Sequence, residues 1–248
     1  MARSSDRQSD GRSALIFGAR NLGAAIIENL IEDGWKVAGV ARSEATLEKI
    51  AAAGALALSA DVTDQSSVHD ALERTAAEHG QLELVVNAAS AYGGTRSGPF
   101  GGGPLAQADA DAFDAWAAAP ARSAFTFLSG AARFLVAQKR PACVIQVTGG
   151  SSRRAMPGRG LWAAGAFGVR AITQAAALEL RGQGIHVALL IVDAGIEPLS
   201  GEVRQGSSRE AMADPHEIAD AVRFLADQGA RAATHELQVT PLGETWVP

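Results

Sequence analysis

The amino-acid sequence predicts an α/β fold with a doubly wound parallel sheet, arranged as three α/β/α layers in a single domain. Three observations support this fold class. Short apolar runs alternate about six times with segments of helical periodicity. A glycine turn follows the first apolar run and opens a helix. The 248 residues suit one large domain, and the composition shows no linker that would divide it.

The chain is organised around residues 14–40, which combine a strand, a turn, a helix and a second strand. Residues 14–17 are all apolar, as expected for a parallel strand that is covered on both faces. In the turn, Gly18 allows a sharp bend, and Gly23 lets the helix start lie close to the strand and to a ligand. Because the open N–H groups and the positive end of a helix attract anions, this unit predicts a pyrophosphate site.

The remaining elements follow from apolar runs and helical spacing. Further strands are predicted at residues 35–40, 55–59, 82–87, 143–147 and 185–192, with a short last strand at 237–239. Helices are predicted at residues 44–53, from a cap at Thr63 or Asp64 through 79, and at 109–139, 162–181 and 215–227. Pro120 is expected either to break its helix or to occupy a first turn.

Three loops lie at the predicted carboxyl ends of strands, where ligands of such sheets bind. Residues 92–104 contain six glycines and two prolines, and we expect them to form an irregular, mobile loop. Residues 148–160 are predicted to be a polar loop, and residues 198–213 a polar, mobile segment.

The composition limits the partners and the compartment. A net charge of −5 gives no electrostatic case for nucleic acid, and no apolar run reaches the length of a membrane span. Residues 1–13 lack the apolar core of a signal peptide, so we expect a disordered leader before a domain over 14–248. The single cysteine, Cys143, fits a strand core better than a nucleophile, and a reducing cytoplasm is expected. The histidines show no metal-ligand spacing, so no metal site is expected.

Taken in order, the loops resemble those of the short-chain dehydrogenase/reductase family, whose sheet is Rossmann-like. The glycine turn is similar to the family's, but is one residue short and has Arg20 where a middle glycine is usual. Asp61 resembles the family's acidic residue near the adenine, and Asn87 begins a stretch similar to its Asn-Asn-Ala-Gly loop. Residues 184–195 and 214–219 resemble its penultimate strand and last helix. The cofactor-binding residues that the resemblance implies are Gly18, Arg20, Asn21, Leu22, Gly23, Arg42, Asp61, Val62, Asn87, Ala88 and Ala89.

The end of the second strand bears on the choice of cofactor. It reads Ala41-Arg42, with no acidic residue to bind a free ribose 2′-OH. Arg20 and Arg42 would flank that ribose, and guanidinium groups suit a 2′-phosphate. We therefore expect NADP in preference to NAD, unless both arginines are simply solvated surface charges. Arg20 either contacts the 2′-phosphate or crowds the pyrophosphate.

The family's catalytic positions carry unusual residues in this sequence. The family uses a tyrosine and a lysine four residues apart on a helix, a serine before them, and an asparagine on the preceding long helix. Aligned with that pattern, Trp162 falls at the tyrosine, Ala166 at the lysine, Gly149 at the serine and Pro120 at the asparagine. Because an indole does not titrate and alanine carries no charge, the usual acid–base mechanism is disfavoured.

Several polar residues near the predicted cleft are possible substitutes for the missing groups. The candidates that could donate a proton, polarise an oxygen or bind an acid are Thr148, Ser151, Ser152, Tyr92, Arg153, Arg154, Asp193 and Glu197. Each also has an ordinary structural explanation. Loop serines satisfy backbone groups, surface arginines are solvated, and an aspartate after a strand caps a turn.

Three functions are compatible with these patterns. The first is an NADP-dependent oxidoreductase of atypical mechanism, and the second is a catalytically inactive nucleotide-binding protein. The third is a non-redox enzyme, such as a lyase or cyclase, on the same scaffold. Each implies a small-molecule ligand. The small residues of the helix at 162–181 permit close helix approach, so a homodimer or homotetramer is expected.

Overall fold

The computed structural model describes residues 11–90, 98–201 and 208–244. Within these ranges the centre is a seven-stranded sheet. Its strands are β1 (Ser13–Phe17), β2 (Lys36–Ala41), β3 (Leu56–Ser59), β4 (Leu82–Asn87), β5 (Ala142–Gly149), β6 (Ile185–Val192) and β9 (Glu236–Val239), and a small second sheet contains β7 (Gly195–Ile196) and β8 (Met212–Ala213). The strand order of the large sheet is β3-β2-β1-β4-β5-β6-β9, and all neighbouring strands are parallel.

Helices cover both faces of the sheet, so the predicted three-layer, doubly wound fold is confirmed. The α-helices in the same part of the chain are α1 (Leu22–Glu32), α2 (Glu44–Ala52), α3 (Gln65–His79), α4 (Ala110–Phe113), α5 (Ala119–Gln138), α6 (Gly160–Leu180) and α7 (Pro215–Ala226). Side chains of α1, α2 and α7 form one core with the sheet, and those of α3, α5 and α6 form the other. The strand order reverses between β1 and β4, where a ligand crevice is expected outside the carboxyl ends.

The strands are buried because both faces of the sheet are covered. All five residues of β1 are buried, which explains why its sequence does not alternate between apolar and polar residues. Phe17 of β1 meets Phe127 of α5 edge to face, with ring centroids 5.6 Å apart. His186 in β6 is partly buried, and its Nε2 lies 2.8 Å from the Thr234 carbonyl oxygen, which fits a structural role.

The leader predicted for residues 1–13 extends too far into the domain. Ser13 is the first residue of β1, and its hydroxyl donates to the Gln81 carbonyl oxygen at 2.6 Å. The Arg12 guanidinium lies 3.7 Å from the Trp35 ring centroid and pairs with Glu83 at 3.1 Å. These contacts anchor residues 12 and 13 to the sheet, whereas residues 1–10 lie outside the described part of the chain.

Pro120 lies in the first turn of α5, one of the two alternatives for this residue. A π-helical turn, Asp114–Ala118, joins α4 to α5, so the chain stays helical across the proline. Proline lacks an N–H and cannot bond to the carbonyl four residues earlier, and a widened turn accommodates this loss. The carbonyl of Trp116 instead faces α6, where a Cβ atom on Gly165 would lie 2.5 Å from it.

Residues 98–104 form an irregular loop, as predicted. Its one short turn, Phe100–Gly102, has a non-helical backbone at Gly101, and Gly101, Gly102 and Gly103 all have positive φ; residues 92–97 lie outside the described ranges. In the segment at 198–213, β8 (Met212–Ala213) pairs with β7 (Gly195–Ile196) in the small second sheet. Neither of these two strands has a local sequence signal, because each is only two residues long.

Candidate functional site

The glycine turn after β1 is packed too closely to hold side chains. Gly18 has a φ of 85°, and a Cβ atom on it would lie 2.5 Å from the Cα atom of Ala89. A Cβ atom on Gly23 would lie 2.5 Å from the Gly18 carbonyl oxygen. The N–H groups of Gly18 and Ala19 both donate to the Val40 carbonyl oxygen at 3.2 Å. The turn is therefore fixed between the carboxyl ends of β2 and β4.

The start of α1 offers open hydrogen-bond donors beside this turn. The N–H groups of Ala24 and Ala25 donate to the Asn21 carbonyl oxygen, at 2.9 and 3.2 Å. The N–H groups of Leu22 and Gly23 come before them, where a helix has no internal acceptor to offer. Such donors, at the positive end of a helix, suit an anion such as a pyrophosphate. Arg20 is exposed at the same turn.

Asn87 shapes the loop after β4 and is 1% exposed. Its Nδ2 donates to Gln146 Oε1 at 3.0 Å, and its Oδ1 accepts from the Ala89 N–H at 3.1 Å. The Ala88 N–H donates to the Phe17 carbonyl oxygen at 2.9 Å. The Asn87 side chain thus holds Ala88 and Ala89 against the glycine turn. These three residues line one side of the predicted crevice.

Arg42 and Asp61 lie together after β2 and β3. Arg42 Nη1 is 3.5 Å from Asp61 Oδ2, and Asp61 Oδ1 accepts from the Thr63 N–H at 2.9 Å and from its hydroxyl at 2.7 Å. Partial burial acts to raise the pKa of Asp61, but the Thr63 hydrogen bonds and the Arg42 charge outweigh it and lower that pKa. Val62 is 7% exposed and faces the core. Asp61 is therefore an ionised carboxylate beside Arg42.

Trp162 belongs to an aromatic cluster at the carboxyl end of β5. Its Cζ2 atom lies 3.9 Å from the position that a Cβ atom on Gly149 would take. Phe100 packs edge to face against Trp162 and Trp116, with ring centroids 4.7 and 5.0 Å apart. The Arg159 guanidinium lies 5.3 Å from the Phe100 ring centroid. The sequence did not predict the roles of Phe100, Trp116 and Arg159. An aromatic residue directly before three glycines is the one signal that points to Phe100.

Ala166, which the sequence comparison placed at the family's lysine, lies near this cluster, as do two of the three remaining substitute candidates. Ala166 is 6% exposed on the next turn of α6, a helix whose sequence contains neither tyrosine nor lysine. Thr148 and Ser151 are half-buried at and just after the end of β5, and Tyr92 is not among the described residues. The site therefore gathers Gly149, Trp162 and Ala166, with the polar Thr148 and Ser151 beside them.

The charged candidates are all in ion pairs, and two of them pair with each other. Both terminal nitrogens of Arg154 donate to the Asp193 carboxylate, with Nη2 to Oδ1 at 3.1 Å. Asp193 is 7% exposed, and this ion pair ties the end of β6 to the loop after β5. Arg153 lies 3.6 Å from a Glu236 carboxylate oxygen. The alternative explanation that Arg153 and Arg154 are simply solvated is therefore wrong.

Glu197 and Ser152 are also held by the fold. Glu197 pairs with Arg209 at 2.8 Å, which suits a structural role. Ser152 is fully buried, and its carbonyl oxygen accepts from Arg170 at 3.4 Å, whereas its hydroxyl has no hydrogen-bond partner among the described residues. Among the described residues, the partly exposed hydroxyl groups that remain as candidate donors at the end of β5 are those of Thr148 and Ser151.

Cys143 is a core residue, as predicted. It is 5% exposed, and burial, with smaller opposing effects of Arg12 and Asp227, raises the pKa of its thiol to about 12. Among the described residues, no three His, Cys, Asp or Glu side chains are grouped to hold a metal ion. None of the helices in the same ranges combines the length and apolarity of a membrane span.

Comparison with known protein sequences extends over most of the chain. A family model described as short chain dehydrogenase matches residues 12–196. The 3-oxoacyl-(acyl-carrier-protein) reductase of Salmonella typhimurium is 30% identical over 239 residues, covering 92% of this chain and 94% of that protein. The sorbitol dehydrogenase of Cereibacter sphaeroides is 28% identical over 183 residues, covering 72% of this chain and 68% of its own length.

Solved structures share the same fold. The 3-ketoacyl-(acyl-carrier-protein) reductase of Brucella melitensis, complexed with NADH, superposes with a TM-score of 0.77 at 24% identity, covering 94% of this chain and 98% of that one. The alcohol dehydrogenase of Thermococcus sibiricus, complexed with 5-hydroxy-NADP, gives a TM-score of 0.76 at 22% identity, covering 96% and 100%. With the family match, these findings lead to one conclusion. The chain belongs to the short-chain dehydrogenase family, a family of oxidoreductases with an NAD(P)-binding fold.

Proposed function

We propose that this chain binds NADP at the glycine turn and does not carry out the family's tyrosine-dependent carbonyl reduction. The proposal rests on a contrast between the two sides of the crevice. At one side of the crevice, Gly18 and Gly23 are packed without space for a Cβ atom, as a turn that approaches a nucleotide requires. At the other side, the position that we assign to the family's tyrosine is Trp162, whose indole packs against Phe100.

The nucleotide half of the proposal rests on the donors and charges around the turn. The N–H groups of Leu22 and Gly23 would bind the pyrophosphate, and Arg42 would bind a 2′-phosphate. Relatives support a nicotinamide nucleotide, since the Thermococcus sibiricus enzyme was solved with 5-hydroxy-NADP and a metagenomic short-chain oxidoreductase, 25% identical, with NADP. The structure from Brucella melitensis contains NADH, so the preference for NADP depends on Arg42 and, if it reaches the ribose, Arg20.

The catalytic half rests on the side chains near β5. When bound, NADP supplies the hydride chemistry, and the protein must supply a proton at the substrate oxygen. An indole N–H does not ionise in a useful range, and Ala166 offers no charge to lower a neighbouring pKa. A substrate carbonyl near Gly149 would therefore meet aromatic rings instead of an acid.

Two measurements test the two halves separately. Titration calorimetry with NADPH and NADH is expected to show saturable binding that is tighter for NADPH. A panel of aldehydes and ketones is expected to give no NADPH oxidation above the rate without protein. Absence of NADPH binding would contradict the proposed nucleotide site. Steady NADPH oxidation with any of the carbonyl compounds would contradict the proposed lack of carbonyl reduction.

A second candidate function is an NADP-dependent oxidoreductase of atypical mechanism. It is favoured by Thr148 and Ser151, which are half-buried hydroxyl residues on either side of the Gly149–Gly150 turn. Either hydroxyl could orient a carbonyl, with Tyr92 as a further donor. If turnover is found in the panel, Thr148→Val and Ser151→Ala identify the donor, because each removes one hydroxyl with little change in volume.

We also propose that the chain forms a homodimer or homotetramer through α5 and α6. Phe125, Phe167 and Leu178 are 53%, 43% and 63% exposed on these helices. Light scattering after size exclusion is expected to give a dimer or tetramer mass, and Phe167→Asp to lower it. Ala77→Asp on the exposed face of α3 is the control. A monomer for the unchanged protein would contradict the proposal.

A further inference from the structure

The side chain of Asn21 joins the glycine turn to a segment far away in the sequence. Its Nδ2 donates to the Glu197 carbonyl oxygen at 3.0 Å, and its Oδ1 accepts from the Leu199 N–H at 2.8 Å. Asn21 directly precedes α1, a position where asparagine ordinarily caps the helix through its side chain. Within the described residues it makes no such cap hydrogen bond. Both ends of the amide are instead committed to the distant segment.

The spacing of the strands shows where this segment runs. β1 and β6 are separated by β4 and β5, so their carboxyl ends are three strand spacings, or about 14 Å, apart. Asp193 directly follows β6, and a fully extended chain from Asp193 to Glu197 spans about 14 Å. The chain therefore takes a direct path from the end of β6 to the glycine turn. That path crosses the crevice in which the nucleotide is proposed to bind.

Residues 195–201 and 208–213, here called the cap segment, are also linked to one another. Ile196 of β7 pairs with Ala213 of β8, and the Glu197 N–H donates to the Ala213 carbonyl oxygen at 2.9 Å. The Glu197 carboxylate pairs with Arg209 at 2.8 Å. Asn21 thus fastens a connected unit to the start of α1.

We infer that Asn21 is a clamp that holds the cap segment against the glycine turn and so retains a bound nucleotide. The inference rests on the proposed nucleotide function. Leu22 and Gly23, whose N–H groups would bind the pyrophosphate, directly follow Asn21, so the clamped backbone lies beside the bound phosphates. The nucleotide leaves when the two Asn21 hydrogen bonds break. Asn21 is accordingly a positioning residue of the cap segment, and its side chain does not itself contact the cofactor.

The clamp is tested first in the protein without nucleotide, by hydrogen–deuterium exchange. The variant is Asn21→Ala, and the matched control is Asn29→Ala, on the same helix, where the side chain bonds to Asp220 at the surface. Asn21→Ala is expected to increase exchange in residues 195–201 and 208–213, whereas Asn29→Ala leaves it unchanged. Unchanged exchange in Asn21→Ala would overturn the clamp. Equal melting temperatures would show that both variants fold.

NADPH dissociation is then measured by stopped-flow fluorescence. The loss of two hydrogen bonds is expected to make dissociation about tenfold faster in Asn21→Ala, and Asn29→Ala is expected to match the unchanged protein. Slower dissociation or tighter binding in Asn21→Ala would overturn the inference, since the contact would then block the site. If the unchanged protein binds no NADPH although exchange responds to Asn21→Ala, it is the proposed function that fails, and the clamped contact stands.

Discussion

Arg42 Nη1 lies 3.5 Å from Asp61 Oδ2, so the arginine proposed to bind a 2′-phosphate already faces a carboxylate. The Arg42 side chain is 76% exposed, and an exposed pair of this kind contributes about 0–1 kcal/mol. A phosphate dianion forms stronger, charge-assisted hydrogen bonds with a guanidinium. The pair therefore gives way to a 2′-phosphate at small cost, and it keeps Arg42 close to the ribose site.

Replacing Arg42 with alanine is expected to weaken NADPH binding about tenfold and to change NADH binding by less than about twofold. The reason is that NADPH alone carries the 2′-phosphate. Titration calorimetry with both nucleotides measures the effect, and Arg140→Ala, exposed before β5 at the opposite end of the sheet, is the control. An equal loss of affinity for the two nucleotides would show that Arg42 does not bind the 2′-phosphate.

Gly23→Ala is expected to destabilise the fold by about 2 kcal/mol, and to lower the melting temperature by roughly 4–8 °C. The added Cβ atom would lie 2.5 Å from the Gly18 carbonyl oxygen, so the turn must open. Gly182→Ala is the matched control, because nothing lies within 4 Å of its Cβ position. A Gly23→Ala protein that melts like the control would contradict the close packing of this turn.

Restoring the family's side chains is expected to create NADPH-dependent carbonyl reduction. The variant is Gly149→Ser, Trp162→Tyr and Ala166→Lys, and a positioned general acid contributes about 10²–10⁴-fold. A Cβ atom on Gly149 would lie 3.8 Å from the Val192 carbonyl oxygen, so the serine fits. Gly149→Ser and Trp162→Tyr without the lysine form the control. A folded triple variant that binds NADPH and stays inactive would contradict the assigned positions.

Glu236→Gln is expected to destabilise the fold by about 1–2 kcal/mol at neutral pH. Glu236 accepts two hydrogen bonds from Arg170, at 2.7 and 2.8 Å, and one from Gln174 at 2.7 Å. Partial burial acts to raise the pKa of Glu236, but these hydrogen bonds and the Arg170 and Arg153 charges outweigh it, so that the pKa is lowered.

The same substitution has a defined pH dependence. A folded-state pKa below the unfolded value of about 4.3 means that the stabilisation is complete above that value. It is lost as the pH falls through the folded-state pKa. Melting temperatures of the two proteins should therefore differ at pH 7 and converge in acid. Glu48→Gln, exposed on α2, is the control, and a difference that does not change with pH would contradict the role of the Glu236 charge.

Cys143 is expected to resist thiol reagents in the folded protein. Burial raises the pKa of its thiol to about 12, so almost no thiolate is present at neutral pH. Labelling with a chromogenic disulfide should proceed only at the rate of unfolding, and should become rapid in denaturant. Fast labelling of the native protein would show that the strand containing Cys143 is accessible.

Much of the fold could be predicted from the sequence because its signals are local. The apolar runs at residues 82–87 and 185–192 match β4 and β6 residue for residue. Asp64 caps α3, its side chain accepting from the Ser67 N–H at 2.6 Å, as one of the two proposed caps. These features depend on neighbours within a few residues, where periodicity and capping chemistry act. The two-residue strands β7 and β8 carry no such signal, since their pairing partner lies 17 positions away along the chain.

The sequence by itself determined the order of strands and helices, the glycine turn at residues 18–23 and the family to which these belong. Only the tertiary structure decided which polar groups are already engaged. It pairs Asp193 with Arg154, and it ties Asn21 to the backbone of Glu197 and Leu199. The physical reason is that burial and hydrogen bonding between distant residues depend on how the helices and strands pack. An aspartate or asparagine in a loop has the same local sequence whether its side chain binds a ligand or another part of the chain.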